Sequence, residues 1–469
     1  MRLTSCAKNL IRTAIKLIPT NTDAMNTDTT KSVLPEVWAH IFKLASSPSA
    51  LYPGVLPRVV KLSMVCGHWR EVIYSTPSLW TNITLDVDRW TQSAATDGVT
   101  RLTYVLQLFL DRSNSAPLNL HLTMRSSVPV HPTTKLLDVL SQSMNRWKTV
   151  YLNIPPEIFE HPALQLLPQR LSSLQHVGLS DLLSDHHVNL FNDCPSLTSL
   201  ELSWWHATPY RFQQEWLGIK TLDINILSLQ TVGPATFISS FLKVCPNLEN
   251  LSFFWGSSRS DLESLEVVVS RFNLKSLTLN GARGLFSLFQ HLSLPDLSTM
   301  NLEIFDMRWD LKIFADFLSR SGCSITHLTL RSPFAIFIES IMLVLSFLRL
   351  LPSVQELCLN VRSRNRVLFV LFLDELFVGQ SSLSSPLLPH LTDLTLILDE
   401  DSFEEGPLVR AVTSRWHPDL EDATEVGVAC LRSLRLEMMN NKSVPTLEPL
   451  LYLRNAGLKL RVDVTLRSE

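Results

Sequence analysis

The sequence predicts an α/β protein: a small helical module followed by a solenoid of strand-and-helix repeats whose strands build a parallel sheet. Two observations carry this. Residues 31–85 hold three apolar clusters separated by helix-breaking punctuation, and from Trp147 onward an apolar-x-x-apolar-x-apolar unit, with Leu at most anchors, recurs eleven times. A third observation concerns function: no motif of a familiar catalytic chemistry interrupts the pattern.

The helical module comes first. Pro35 stands where a helix-starting proline belongs, because its missing N–H would have had no partner there. Lys31 and Ser32 precede it, and Glu36 places a negative charge in the first turn. Val37, Ile41 and Leu44 recur at helical spacing, with Trp38 and Phe42 widening the apolar face. A second helix is expected to carry Leu62, Val65, Trp69 and Ile73 on one stripe, leaving Lys61, His68, Arg70 and Glu71 to water. Between the two, Ala45 to Arg58 holds Pro48, Pro53, Gly54 and Pro57 and reads as a long connection.

Leu34-Pro35-Glu36, Ile41-Phe42, Val65-Cys66, Trp69-Arg70 and Thr76-Pro77-Ser78-Leu79-Trp80 resemble the F-box, in the form common among large families of fungal F-box proteins of basidiomycete type. The resemblance spans about fifty residues, and the Pro-rich connection is longer than a compact F-box shows. It implies docking to a Skp-family adaptor, and through it to a cullin, with Leu34, Pro35, Val37, Ile41, Val65 and Trp69 as the adaptor-binding residues, Ile41 and Trp69 being equally suited to the module's own core. A plain helical hairpin capping the next domain is the alternative.

The first thirty residues read as a flexible tail. Met1 to Thr20 carries Arg2, Lys8, Arg12 and Lys16 and no acidic residue, which resembles a mitochondrial presequence. The Thr/Asn/Asp-rich stretch that follows argues instead for a tail and linker, and a cytoplasmic or nuclear protein is expected. Hydrophobic residues make up 45% and charged residues 18% of the 469, so the chain is a folding one. Its formal net charge of −3 gives no general reason to bind nucleic acid. Seven scattered cysteines without a C-x-x-C pair predict neither a disulfide framework nor a zinc site.

Ile83 to Val87 and Leu118 to Leu122 alternate as strands do, with a helix over roughly Val99 to Arg112 between them, and Trp80 begins an apolar seam into the array. The repeats proper start at Trp147/Val150/Leu152 and run through Leu174, Leu197, Ile219, Leu248, Leu274, Leu297, Ile325, Val354 and Leu391 to Leu431/Leu434/Leu436. First anchors are spaced 27, 23, 22, 29, 26, 23, 28, 29, 37 and 40 residues apart. All but the last two intervals sit in or near the roughly 20–29-residue period of leucine-rich repeats, which the array resembles. The last two anchors of each unit alternate, so both point into a shared core. Pro195, Pro246, Pro295 and Pro352 end the preceding helix just before the strand. Helices are expected at Phe237 to Val244, Leu311 to Leu318 and Phe334 to Leu350. The last is apolar, but Glu339 and Arg349 interrupt it, so a buried repeat helix is expected and no membrane span. Residues 86–469 thus form one degenerate leucine-rich-repeat solenoid, with an acidic insertion near 399–425.

The chain contains no P-loop, no G-x-G-x-x-G after a strand, no H-E-x-x-H and no G-x-S-x-G. Asp185-His186-His187 with Asp193 and Cys194 is a poor metal set, since adjacent histidines point apart. No cofactor, no metal and no catalytic residue are expected. Binding remains. Residues flanking the inward anchors line an open face that is mostly small and polar, as suits a protein surface. Trp204, Trp205, Phe254, Trp255, His327 and Arg331 are the candidate substrate-binding residues, although alternate members of the two aromatic runs are equally suited to the core. Five acidic residues from Asp399 to Glu405 are a surface for a basic partner or a solvated loop, with Arg362, Arg364 and Arg366 as an intramolecular answer. The expected function is the substrate-recognition subunit of an SCF-type cullin-RING ubiquitin ligase, with ubiquitin transfer left to its partners. The alternative is a non-catalytic leucine-rich-repeat scaffold whose divergent F-box engages no adaptor.

Overall fold

A computed structural model of the chain describes residues 33–46, 50–53, 55–91, 98–124, 130–165, 170–180, 188–204, 215–227, 234–256, 270–281, 285–304, 310–331, 338–361, 366–379, 385–399, 403–417, 427–439 and 448–465. They fall into two compact units, the first running to Trp204 and including the stretch that ends at Ile219, the second starting at Lys220.

The first unit opens with helices α1 (Pro35–Ser46), α2 (Arg58–Ser63) and α3 (Gly67–Ser75). The continuous second stripe expected from Leu62 to Ile73 is not one helix. The chain breaks at 64–66, where Met64 caps α2, and Cys66 caps α3 by accepting from the Trp69 backbone N–H at 3.4 Å. Helical periodicity alone cannot see such a break, because the apolar spacing continues across it. Trp38, Phe42 and Trp69 form the module's core, with ring centroids 4.9 to 5.5 Å apart. Aromatic pairs at such distances add to plain area burial.

The Pro-rich connection is part of the sheet. Ala50–Leu51 forms a two-residue strand, β1, parallel to β2 (Asn82–Asp86). The Trp90 indole donates 2.8 Å to the Leu51 carbonyl, and the Arg89 guanidinium lies 4.5 Å from the Tyr52 ring centroid. Strands β3 (Leu118–Thr123), β4 (Trp147–Asn153), β5 (His176–Ser180) and β6 (Ser199–Trp204) extend this parallel sheet in sequence order. Two helices cover its first rungs, α4 (Gly98–Ser113) and α5 (Val130–Ser141). The expected seam from Trp80 is present: Trp80 is buried, donates 3.0 Å to the Ile73 carbonyl and meets Phe109 of α4 edge to face at 5.1 Å.

The second unit repeats the same rung. Its parallel sheet runs β7 (Thr221–Ile226), β8 (Asn250–Trp255), β10 (Ser276–Gly281), β12 (Thr299–Ile304), β13 (His327–Arg331), β14 (Glu356–Val361), β15 (Asp393–Asp399), β16 (Ser433–Met439) and β17 (Lys459–Thr465). A separate pair, β9 (Ser270–Arg271) with β11 (Leu292–Ser293), lies outside this sheet. The returning helices are α6 (Pro234–Val244), α7 (Leu311–Ser321), α8 (Ile338–Arg349), α9 (Arg366–Leu376), α10 (Glu405–Thr413) and α11 (Glu448–Asn455). Each unit is therefore a leucine-rich-repeat-like solenoid. Strand β17, with Leu460, Val462 and Val464 alternating, extends the array one rung beyond the last sequence motif.

Register explains why the repeats hold. Leu251, Leu277, Met300, Leu328, Leu357, Leu394 and Leu434 lie side by side, as do Phe253, Leu279, Leu302, Leu330, Leu359, Leu396 and Leu436, all buried. Side chains at these positions point to one face because the strand period is two. Just before each strand the backbone runs on in a stair: Lys275 N–H donates to the Glu249 carbonyl, Ser298 to Lys275, Thr326 to Ser298, Gln355 to Thr326, Thr392 to Gln355 and Arg432 to Thr392. At the far end of β10, Gly281 has φ +140, and a Cβ there would meet the Trp255 carbonyl oxygen at 1.9 Å. Only glycine fits that position.

Three arginines, buried Arg415, half-buried Arg146 and exposed Arg320, clasp neighbouring rungs through backbone carbonyls. Arg146 donates to Ala116 at 3.1 Å, Arg320 to Leu292 at 2.8 Å and Phe289 at 2.5 Å, and Arg415 to Leu376 at 2.7 Å and Leu388 at 2.9 Å. Carbonyls turned inward between repeats need donors, and a guanidinium fork supplies several at once.

The acidic stretch near 399–425 is less of an insertion than its composition suggests. Asp399 ends β15, and Glu405 opens α10, whose Leu408, Ala411 and Val412 are buried. Glu405 at a helix N-terminus is where a negative charge is favoured. Glu400 and Asp401, the acidic residues from Asp419 to Glu425, and Arg362 and Arg364 lie outside the described residues. Helix α8 has 12 residues, and among the described residues no helix is long and apolar enough to cross a membrane.

Candidate functional site: an apolar helical face and the open faces of the two sheets

On the helical module the buried and exposed apolar residues separate cleanly. Trp38, Phe42, Ile41 and Ala45 of α1 turn inward, while Leu34 stays 67% exposed, with Val37 and Leu44 also exposed. The break between α2 and α3 presents Met64 at 63% and Val65 at 61% exposure. A short turn forced open by the Cys66 cap thus pushes two apolar side chains into water. Of the adaptor candidates, Leu34, Pro35, Val37 and Val65 are on the surface. Ile41, at 8% exposure, packs into the module's own core. Trp69 is half-buried in that core; its indole N–H and His68 Nε2 are shielded from solvent with no partner among the described residues.

The open face of the first unit's sheet carries an aromatic run that sequence reasoning passed over. His121 stacks 5.6 Å from Tyr151, and Tyr151 lies 4.8 Å from His176 across successive strands. The run depends on Gly178: a Cβ there would fall 2.3 Å from Tyr151 Cδ1, so the ring lies over bare backbone. An isolated glycine inside a strand is the sequence signal for such a close approach. His176 Nδ1 shares a hydrogen bond with Ser199 Oγ at 2.8 Å, and its Nε2 lies 3.9 Å from Glu201. Desolvation holds both His121, whose ring is still exposed, and half-buried His176 below the usual imidazole range. Trp204 ends β6; its side chain and all of Trp205 lie outside the described residues.

On the second unit's open face the rungs are linked by polar side chains. Asn301 Nδ2 donates to Thr278 Oγ1 at 3.0 Å, and Asn280 Nδ2 to Glu303 at 3.1 Å. Phe254 is half-buried on this face, in register with Asn225 and Asn280. Trp255 is not: it is 1% exposed and packs 5.4 Å from Phe253 in the core, which removes it from the substrate-binding candidates. Strand alternation decides between these neighbours. His327 is exposed beside Glu356 at 3.3 Å, and exposed Arg331 sits in register between Glu303 and Asn360. Toward the C-terminal rungs the face becomes charged, Arg435 and Arg461 both donating to Asp463 at 3.1 and 3.0 Å.

Among the described residues no group of three metal-ligating side chains gathers, and Asp185, His186 and His187 lie outside them. Six described cysteines are free. Burial pushes the Cys194 and Cys245 thiols up to about 12, with Asp193 adding to the effect at Cys194, so both are packing residues rather than nucleophiles.

No family model matches the chain, and no curated protein does. Among solved structures it is similar to the leucine-rich-repeat-containing protein LegL7 from Legionella pneumophila, with 13% identity, a TM-score of 0.38, and 75% of this chain and 91% of that one covered. It is also similar to a protein from Bacteroides fragilis, with 12% identity, a TM-score of 0.30, and 72% and 84% covered.

Proposed function

We propose that the protein is a substrate-recognition subunit of an SCF-type cullin-RING ubiquitin ligase, in which the helical module docks to a Skp-family adaptor and the open sheet faces hold a protein substrate. The observation that carries this reading is the exposed apolar set Leu34, Val37, Met64 and Val65 on a module that already has its own aromatic core. Apolar residues that the fold does not need inside, gathered on one small module, mark an interaction surface. The solenoid supplies broad polar faces with aromatic and charged anchors, which suits a protein ligand better than a small molecule. No group transfer is assigned to this chain. Its contribution is proximity, since tethering a substrate beside a conjugating enzyme raises its effective concentration.

The test is co-purification with a Skp-family adaptor. Wild type recovers the adaptor, and Leu34→Asp combined with Val65→Asp does not. Equal background recovery by both would leave a leucine-rich-repeat scaffold without a ligase role.

A further inference from the structure

Strand β17 leaves its outer edge open. It pairs with β16 on one side, and among the described residues nothing pairs with the other. The first unit treats its own edge differently: β1 is two residues long, and the Leu51 carbonyl accepts from the Trp90 indole, which limits edge pairing. Strand β17 is seven residues long. Its anchors are also less sheltered than their neighbours, Leu460, Val462 and Val464 being half-buried where Leu434, Leu436 and Met438 of β16 are fully buried. Helix α11, which packs on β17, exposes Leu451 and Tyr452 at 45% and 55%.

The backbone polarity of the edge follows from its bonds. Lys459 N–H donates back to the Arg432 carbonyl, and in a parallel ladder the N–H and C=O of one residue face the same neighbour. Lys459, Arg461 and Asp463 therefore bond toward β16, and Leu460, Val462 and Val464 present theirs outward.

We infer that this edge pairs with the same edge of a second copy of the chain, antiparallel about a two-fold axis at Val462. Charge selects that register. An axis at Leu460 sets Lys459 against Arg461 of the partner subunit, an axis at Arg461 sets Lys459 against Asp463 of the partner subunit but also that arginine against its own copy, and an axis at Asp463 sets the carboxylate against its own copy. The axis at Val462 alone sets Arg461 opposite Asp463 of the partner subunit, twice over on the open face, so that each Asp463, which already accepts from Arg435 and Arg461 of its own chain, is shared with a third guanidinium. It also makes the outward backbones of residues 460, 462 and 464 into bonded pairs, about six hydrogen bonds in all, and leaves the charged residues as the closer non-bonded pairs, with Cα atoms about 4.5 Å apart. Leu460, Val462 and Val464 then gain apolar neighbours on the core side. The contact is isologous, so it closes at two chains and builds no fibre.

Sedimentation velocity on the full chain tests this across micromolar concentrations. Wild type is expected at about twice the 53.1 kDa chain mass. Val462→Pro removes an outward N–H that β16 does not use and is expected to run as a single chain. Arg461→Glu and Asp463→Lys each place like charges across the axis and are expected to be monomeric alone, but to form a heterodimer when mixed, because the mixture restores opposite charges at both pairs. Far-ultraviolet circular dichroism checks that each variant is folded, and the charge pair serves if the proline does not fold. A monomeric wild type overturns the inference, and so does a dimer that survives all three substitutions or fails to re-form on mixing.

Discussion

The Arg415 guanidinium donates 2.9 Å to the carbonyl of Leu388, a non-glycine residue held at φ +50. The same side chain donates 2.7 Å to the Leu376 carbonyl and also reaches Leu387, and it is fully buried. Burial lowers its pKa to about 10, which leaves it charged at neutral pH. A left-handed leucine costs of order 1–3 kcal/mol unless its surroundings hold it. Here one arginine fixes the turn before β15 and satisfies carbonyls from two segments.

Arg415→Met is accordingly expected to destabilise the protein by about 3 kcal/mol or more, because at least two buried carbonyls lose their donor. Arg415→Lys keeps the charge but not the fork, and is expected to recover only part of the loss. Urea denaturation followed by tryptophan fluorescence reads both. Wild-type stability in the Met variant would remove the clasp from the account of how repeats are joined.

Tyr151 and Gly178 form a second coupled pair. Gly178→Ala alone is expected to cost about 1–2 kcal/mol, because the new Cβ and the Tyr151 ring compete for one place. In a Tyr151→Ala background the same change is expected to be neutral or slightly stabilising, since alanine loses less backbone freedom than glycine. A double-mutant cycle on the unfolding midpoint measures the difference.

The two open-face histidines predict a pH dependence whose sign is fixed. Burial lowers the folded pKa of His121 and His176 from 6.5, so on acidification the unfolded chain takes up protons first. The stability they contribute is fully present above the unfolded value and is lost as pH falls through the folded one. Between pH 7 and pH 5 the urea midpoint is expected to drop, and His121→Gln with His176→Gln is expected to flatten that slope.

The helical module separates folding from docking. Leu34→Asp and Val65→Asp change exposed positions and are expected to shift stability by no more than about 0.5 kcal/mol. Phe42→Ala empties a site against Trp38 and Trp69 and is expected to cost about 3–5 kcal/mol. Thermal unfolding distinguishes the two classes before any binding experiment.

How much of this was legible in the residues varies with the physics involved. The strand anchors from Val150 to Leu436 were readable because a period-two pattern leaves a mark in every rung. The helices at Pro234–Val244, Leu311–Ser321 and Ile338–Arg349 were readable for the same kind of reason. Phe254 and Trp255 were not separable, because an aromatic run looks the same on either face until the register is set. The His121–Tyr151–His176 run was hidden more deeply, since its members lie about thirty residues apart and meet only through strand pairing. Among the docking candidates, Ile41 and Val37 both read as apolar helix-face residues, and only the packing of α1 sent one inside.

By itself, the sequence determined the fold class, the repeat period, the place of the helical module and the absence of familiar catalytic motifs. These are local or periodic properties, and each residue records them independently. The tertiary structure decided which apolar residues remain outside, that the Pro-rich connection becomes strand β1, that three arginines clasp neighbouring rungs, and that among the described residues β17 is paired on one side alone. Those depend on contacts between residues far apart in the chain, where a single register or a single helix break settles which side chain reaches water.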